Sequence, residues 1–192
     1  KNVYGAEPMF GRNLSYFGRL SWNYKSKYYL QASFRADAAD LSILPQPRRW
    51  GYFPSVSGGW TLSEEAFFDG IKNYVPFMKL RASWGQNGST ASLGGYAYAN
   101  TIVQTGNYPV FDGSNDDVYT YLIGYAPSST GNQELKWETS EQLNLGIDLR
   151  FLRDKLSISA DWYQKKTKDL IVSGITPSTV VGVAASPVNA GN

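Results

Sequence analysis

The 192 residues contain no cysteine and no histidine. Without thiols there is no disulfide framework, thiolate nucleophile or Cys-ligated metal. Without imidazoles the commonest general base and metal ligand are missing. No apolar run approaches the roughly 18 residues that a membrane-crossing helix needs. Net charge is scarce too: 18 Lys and Arg against 16 Asp and Glu leave +2, too little to suggest a nucleic-acid partner. The chain opens on Lys1 with no Met, basic n-region or apolar h-region. It therefore reads as a mature product, or a piece of something longer, without a signal peptide.

What is abundant is aromatic and turn-forming: 14 Tyr, 9 Phe, 6 Trp and 19 Gly. That mixture favours strands and turns over helices. The clearest segment runs from Trp137 to Phe151. Its odd positions read Trp, Thr, Glu, Leu, Leu, Ile, Leu, Phe and its even positions Glu, Ser, Gln, Asn, Gly, Asp, Arg. A period of two puts the first row on one face of a strand and the second on the other. Five more segments alternate in the same way: 14–24, with Phe17 a misfit on its polar row, 28–37, 55–62, 78–85 and 156–163. A soluble sandwich would turn the apolar row inward; a transmembrane barrel strand turns it toward lipid and its polar row toward the lumen.

Connection lengths favour the barrel. Lys25-Ser26-Lys27 and 152–155 are tight turns. Residues 63–70 suit a short helix, with Ser63 as cap, Glu64 and Glu65 at its positive end and Gly70 as stop. Phe67, Ile71 and Tyr74 recur there at near-helical spacing. The other connections, 38–51, 86–133 and 169–187, are long, and a compact soluble domain rarely keeps a loop of nearly 50 residues. Short turns at one end and long loops at the other are the outer-membrane pattern. Trp22, Tyr24, Tyr28, Trp60 and Phe151 then fall at the short-turn end, and Trp84, Trp137 and Trp162 at the long-loop end, all on the apolar row. Two aromatic girdles are what the two interfaces of a bilayer select. Arg19, Arg35, Lys79, Arg81, Asp148, Arg150 and Asp161 all fall on the polar row; Glu141 is the exception, near the long-loop end.

Several segments also carry a resemblance. They are Tyr16-Phe17-Gly18-Arg19-Leu20, the stretch from Tyr29 to Asp37, Gly51-Tyr52-Phe53-Pro54-Ser55-Val56-Ser57-Gly58-Gly59-Trp60 with Ser63-Glu64-Glu65, Leu80-Arg81-Ala82-Ser83-Trp84-Gly85-Gln86-Asn87-Gly88, Leu135-Lys136-Trp137-Glu138-Thr139, and Tyr163 to Leu170. In that order they resemble the SusC/RagA-like TonB-linked outer-membrane transporters of Bacteroidetes-type bacteria, over roughly three-quarters of the chain. The segment after Asp37 departs from the family's usual Gly/Ser-rich form.

The resemblance implies an all-β, antiparallel transmembrane β-barrel segment, about six strands of a larger barrel of about 22 strands. Residues 1–192 would be part of the barrel domain, with the plug domain not included. It implies residence in the outer membrane of a Gram-negative bacterium and contact with its lipid. It further implies a SusD-like surface lipoprotein as lid, TonB engaged through the N-terminal part, and import of oligosaccharides or peptides. A soluble carbohydrate-binding β-sandwich module, or a passive porin or adhesin barrel, is the alternative.

No catalytic constellation is visible and no cofactor is called for, so an enzyme is not expected. Asp116-Asp117 and Glu64-Glu65 are neighbours in sequence and read as solvated charge. Asp112, Ser114 and Asp116 place oxygens as a calcium loop does, but the sixth position is Asp117 rather than Gly and the twelfth is Ile123 rather than Glu. A solvated loop tip is the favoured reading. Tyr96, Tyr98, Tyr108, Phe111, Tyr119 and Tyr121 crowd the longest connection as candidate substrate-binding rings, with internal packing the favoured role for most. Arg48, Arg49 and Trp50 are offered to the plug, the lid or substrate, with solvation an equal reading. The cations of the polar row, Arg19, Arg35, Lys79, Arg81 and Arg150, are offered to acidic groups on a plug, with simple solvation in a water-filled lumen the alternative.

Overall fold

In the computed structural model the described residues are 11–111, 119–173 and 182–191. Six strands form one antiparallel sheet: β1 (Leu14–Tyr24), β2 (Tyr28–Ala38), β3 (Trp50–Thr61), β4 (Phe77–Ser89), β7 (Glu138–Phe151) and β8 (Leu156–Lys168), in the order β1-β2-β3-β4-β7-β8. These are the six segments that alternate in the sequence. β3 starts five residues earlier than expected because Gly51 and Pro54 look like breakers. Yet Trp50, Tyr52, Pro54 and Val56 continue one row, and Pro54 sits in register opposite Phe34.

The tight turns set the register. Lys25 and Ser26 adopt φ of 51° and 56°, and Leu152, Arg153 and Asp154 adopt 54°, 56° and 66°. Left-handed backbone in non-Gly residues costs about 1–2 kcal/mol each. The cost is offset locally: Asn23 Oδ1 accepts from Ser26 N–H at 3.1 Å, and the Tyr29 hydroxyl donates to Ser26 O at 2.9 Å.

Two expectations need correction. The segment after β3 is not one helix but two 3-10 turns, Leu62–Glu64 and Ala66–Phe68. Ser63 caps neither turn, and its Oγ is buried without a partner among the described residues. Glu65 divides the segment: Tyr28, Trp60 and Lys27 draw its carboxylate aside while its backbone stays extended at φ −87°, ψ 144°. The 86–133 connection is not a simple loop either. It carries a hairpin of β5 (Thr101–Phe111) and β6 (Tyr119–Thr130), joined in parallel by β10 (Ala184–Ala185). Its irregular register, broken near Thr101 and Gly106, blurs the alternation in sequence. β9 (Ile171–Val172) pairs with β11 (Val188–Asn189).

The core lies at the long-loop end, not under the sheet. Ala39, Leu44, Leu93 and Leu135 are buried together, with Ile43, Ala97, Tyr98, Trp137 and Ile171 packed around them. Four connections thus fold onto one another above the strands.

Candidate functional site

The six-stranded sheet has two unlike faces. Along β7 the apolar row runs from Phe151 to Leu143, eight steps along the strand. At about 3.3 Å per step and a tilt of about 40° it rises roughly 20 Å, near the ~25 Å apolar band of an outer-membrane barrel. Neighbours in register continue it: Leu80 and Ala160 beside Ile147, Ala82 and Trp162 beside Leu145. These side chains are exposed or only half-buried, and the β5–β6 hairpin does not cover them.

The row ends in rings on both sides. At the short-turn end Trp22, Tyr24, Tyr28 and Trp60 form a ladder with centroids 5.9, 6.5 and 6.3 Å apart. At the other end Tyr16 stacks on Trp50 and Phe34 on Tyr52, each at 6.1 Å. Tyr16 and Phe34 stand on the apolar rows expected for β1 and β2, whereas Trp50 and Tyr52 lie before residue 55, where alternation alone starts β3. Above Trp84 the same row turns polar. Glu141 accepts from Trp84 Nε1 at 2.7 Å and pairs with Lys168 at 3.1 Å, so the one acid on the apolar row sits where its cost fades toward the interface.

Trp137 is a correction. Its ring meets Phe53 edge-on at 5.5 Å and its Nε1 donates to Arg49 O at 2.9 Å. Phe53 belongs to the polar row, opposite Arg35. Trp137 therefore closes the loop core over the polar side and takes no part in the girdle. It precedes β7, so extrapolating the strand's parity to it failed.

The polar face is a surface of hydroxyls, amides and paired charge. Arg81 donates to Asp148 at 2.8 and 3.0 Å and reaches Asp161 at 3.0 Å. The gap is held open by Gly146, where a Cβ would collide with both Arg81 and Asp161. Arg35 pairs with Asp37 at 3.1 Å, Arg150 with Asp154 at 3.8 Å, and Lys79 lies over the Tyr29 ring at 4.2 Å. Arg35, Lys79, Arg81 and Arg150 thus each have a partner within the chain; Arg19 has no ion pair among the described residues. A cavity of about 470 Å³ opens on this face beside Ser21, Gln31, Ser57, Lys79, Arg81 and Asn144.

The loop cap is tied by charge. Asp40 accepts from Ser42 N–H at 2.8 Å and Arg12 N–H at 2.6 Å. Hydrogen bonds from the Ser42 side chain and backbone, then from Arg12, hold its carboxyl at about 2. Arg48 pairs with Glu134 at 2.5 Å and Lys136 with Asp169 at 2.8 Å. Arg49 Nε donates to Ala39 O at 2.9 Å. The segment after Asp37 is therefore structural cement for the cap, and Arg48, Arg49 and Trp50 all have partners inside the chain.

The six candidate rings are not gathered on one surface. Tyr98 packs on the loop core, its hydroxyl donating to Leu41 O at 2.7 Å. Tyr96 lies 6.3 Å from it and is exposed. Tyr108, Phe111, Tyr119 and Tyr121 belong to strands rather than a loop. Tyr108 pairs with Leu122 and Tyr121 with Pro109, so the two exposed tyrosines point to opposite faces of the hairpin. Phe111 and Tyr119 are register partners at its tip. Asp112, Ser114 and Asp116 lie outside the described residues. Among those described, no three acidic side chains converge as a metal site would need.

Comparison with known proteins agrees with this geometry. The chain is 34% identical over 170 residues to TonB-dependent receptor P39 of Formosa agariphila, covering 88% of this chain and 15% of that protein. It is 32% identical over 160 residues to TonB-dependent receptor SusC of Bacteroides thetaiotaomicron, covering 83% and 15%. Its fold matches the structure of the RagAB peptide importer in the open-open state with a TM-score of 0.75, at 23% identity, over 93% of this chain and 18% of that one. The chain spans about 15% of the length of the curated relatives it matches. The family model described as TonB dependent receptor-like, beta-barrel matches residues 5–192. By its strands, by its two-faced sheet and by that match, the chain belongs to the TonB-dependent receptor β-barrel family.

Proposed function

We propose that these residues form part of the wall and the extracellular loops of an outer-membrane, TonB-dependent importer of nutrients such as oligosaccharides or peptides. Residues 1–192 would belong to its barrel domain, with the plug elsewhere in a longer polypeptide. The observation that carries this reading is the sheet itself: one face apolar between two aromatic girdles, the other charged and hydroxylated, and both outer strands, β1 and β8, with an edge unpaired among the described residues. Unpaired edges are not tolerated in lipid, so more strands must close the barrel. A soluble sandwich would need a second layer over the apolar row, and no described element supplies one.

Substrate is captured between the loops and a SusD-like surface lipoprotein acting as lid. It is released inward when TonB pulls the plug through the N-terminal part of the protein. This chain contributes the fixed parts of that cycle. Tyr96, Tyr108 and Tyr121 offer exposed faces for stacking on sugar rings or a peptide backbone; Tyr98 is committed to packing. The test is uptake of labelled oligosaccharides and peptides by cells carrying the whole protein. Import that stops when TonB is deleted or the proton gradient is collapsed supports the reading; import indifferent to both fits a passive porin and contradicts it. Tyr108→Ala and Tyr121→Ala are each expected to raise the Kd of the imported substrate about 2- to 10-fold if that ring stacks.

A further inference from the structure

The connection between β3 and β4 carries large side chains that nothing in the chain explains. Phe67, Ile71 and Tyr74 are 67, 53 and 78% exposed, while Phe68 between them is 5% exposed. The segment is ordered: Ile71 N–H donates to Phe68 O, and Tyr74 and Val75 N–H to Ile71 O. Ile71 and Tyr74 are three apart in these turns and follow Phe67 directly at the same end of the sheet. Phe67 ties the segment to the sheet. Phe67 meets Trp60 edge-on at 6.4 Å and so extends the ladder Trp22-Tyr24-Tyr28-Trp60 by one ring. Glu65 locks the attachment, accepting from the Tyr28 hydroxyl at 2.6 Å, Trp60 Nε1 at 3.1 Å and Lys27 at 3.3 Å. The polar residues of the turn, Asp69 and Lys72, pair with each other at 3.9 Å.

We propose that residues 65–74 form an interfacial foot. In it Phe67, Ile71 and Tyr74 enter the headgroup–acyl boundary of the leaflet at the short-turn end. The occupant of this apolar surface is phospholipid, because the surface is continuous with the lipid-facing girdle and not with the polar face. Exposed aromatic and aliphatic side chains on a short segment tied to the girdle are what such a boundary takes up. A water-facing turn would gain nothing from three exposed apolar residues. The foot holds the sheet at a set depth, beyond what the strands alone fix. The inference rests on the barrel-wall reading.

The experiment uses the whole protein in phospholipid vesicles with no other protein present. Single cysteines replace Phe67, Ile71 or Tyr74, or the reference positions Asp154 (a water-facing turn at the same end) and Leu145 (mid-row on β7), and each carries a polarity-sensitive fluorophore. Nitroxide lipids labelled just below the headgroup are expected to quench the three foot positions several-fold more than Asp154→Cys, with blue-shifted emission. Foot positions quenched no more than Asp154→Cys, while Leu145→Cys is quenched by deep nitroxides, would overturn the foot and leave the wall intact. Leu145→Cys unquenched by any lipid would remove the wall reading and the foot with it.

Discussion

Glu65 shows how much one residue can hold. It lies outside the strands, yet it satisfies the polar tips of two girdle rings and one lysine. The Tyr28 hydroxyl foremost, then the Trp60 indole and Lys27, hold its carboxyl below the usual carboxylate range. Its folded pKa is depressed, so its contribution is present above the unfolded value and is lost as pH falls through the folded one. Glu65→Ala is therefore expected to lower the thermal midpoint of the detergent-solubilised protein at neutral pH. The gap from wild type should narrow as pH drops below the ordinary carboxylate range; an unchanged gap would place the effect in packing alone. Adjacent residues of β7 allow a second comparison. Leu145→Arg puts a cation on the lipid row one pair above its middle at Ile147 and is expected to cost about 2 kcal/mol, the low end of the midplane range. Asn144→Arg, one residue away on the polar face, is expected to stay within about 1 kcal/mol. Folded yield in the outer membrane, read by heat-modifiable gel mobility, checks both. Equal effects would mean the faces are not divided as described.

At the scale of elements, the sheet's polar face is organised around Gly146. Gly146→Ala is expected to separate Arg81 from Asp161, because the added Cβ collides with both. Arg81→Gln leaves Asp148 and Asp161 facing each other and is expected to cost about 1 kcal/mol, small because the groups are part-exposed. Denaturant unfolding midpoints decide, and no shift in either variant would show the network to be ornamental.

Elements also show what could be read from sequence. All six wall strands were legible because an apolar and a polar face give a period of two, broken at few places such as Phe53 and Glu141. The β5–β6 hairpin was not: both its faces carry large apolar residues, Tyr108 and Leu122 on one and Tyr121 and Ile123 on the other, so no alternation survives. The loop core was equally hidden, since Ala39 and Leu44, Leu93, and Leu135 come from three separate aperiodic connections. Trp137 was misplaced because strand parity does not extend past a strand's end. The candidate site was read only as residue types. Nothing in the spacing of Tyr96, Tyr98, Tyr108 and Tyr121 says that one packs inward and that the hairpin pair diverges.

At the scale of the whole molecule, the described residues bury few apolar side chains beyond the loop core, while one face of the six-stranded sheet is apolar and uncovered by any described element. A sheet with two open edges and an exposed apolar face does not stand alone in water. Residues 1–192 expressed by themselves are expected to aggregate rather than yield a cooperative soluble monomer. A single sharp unfolding transition from a soluble 21.3 kDa species would contradict that. The central claim is that β7 has lipid on its odd positions and lumen on its even ones. The most direct measurement is a spin-label scan of Gln142, Leu143, Asn144, Leu145, Ile147 and Asp148 as single cysteines in the whole protein reconstituted in bilayers. Each is read by collision with lipid-soluble oxygen and with a water-soluble nickel complex. High oxygen and low nickel access at Leu143, Leu145 and Ile147, with low oxygen access at Gln142, Asn144 and Asp148, is the expected result. No alternation, or alternation of the opposite phase, would contradict it.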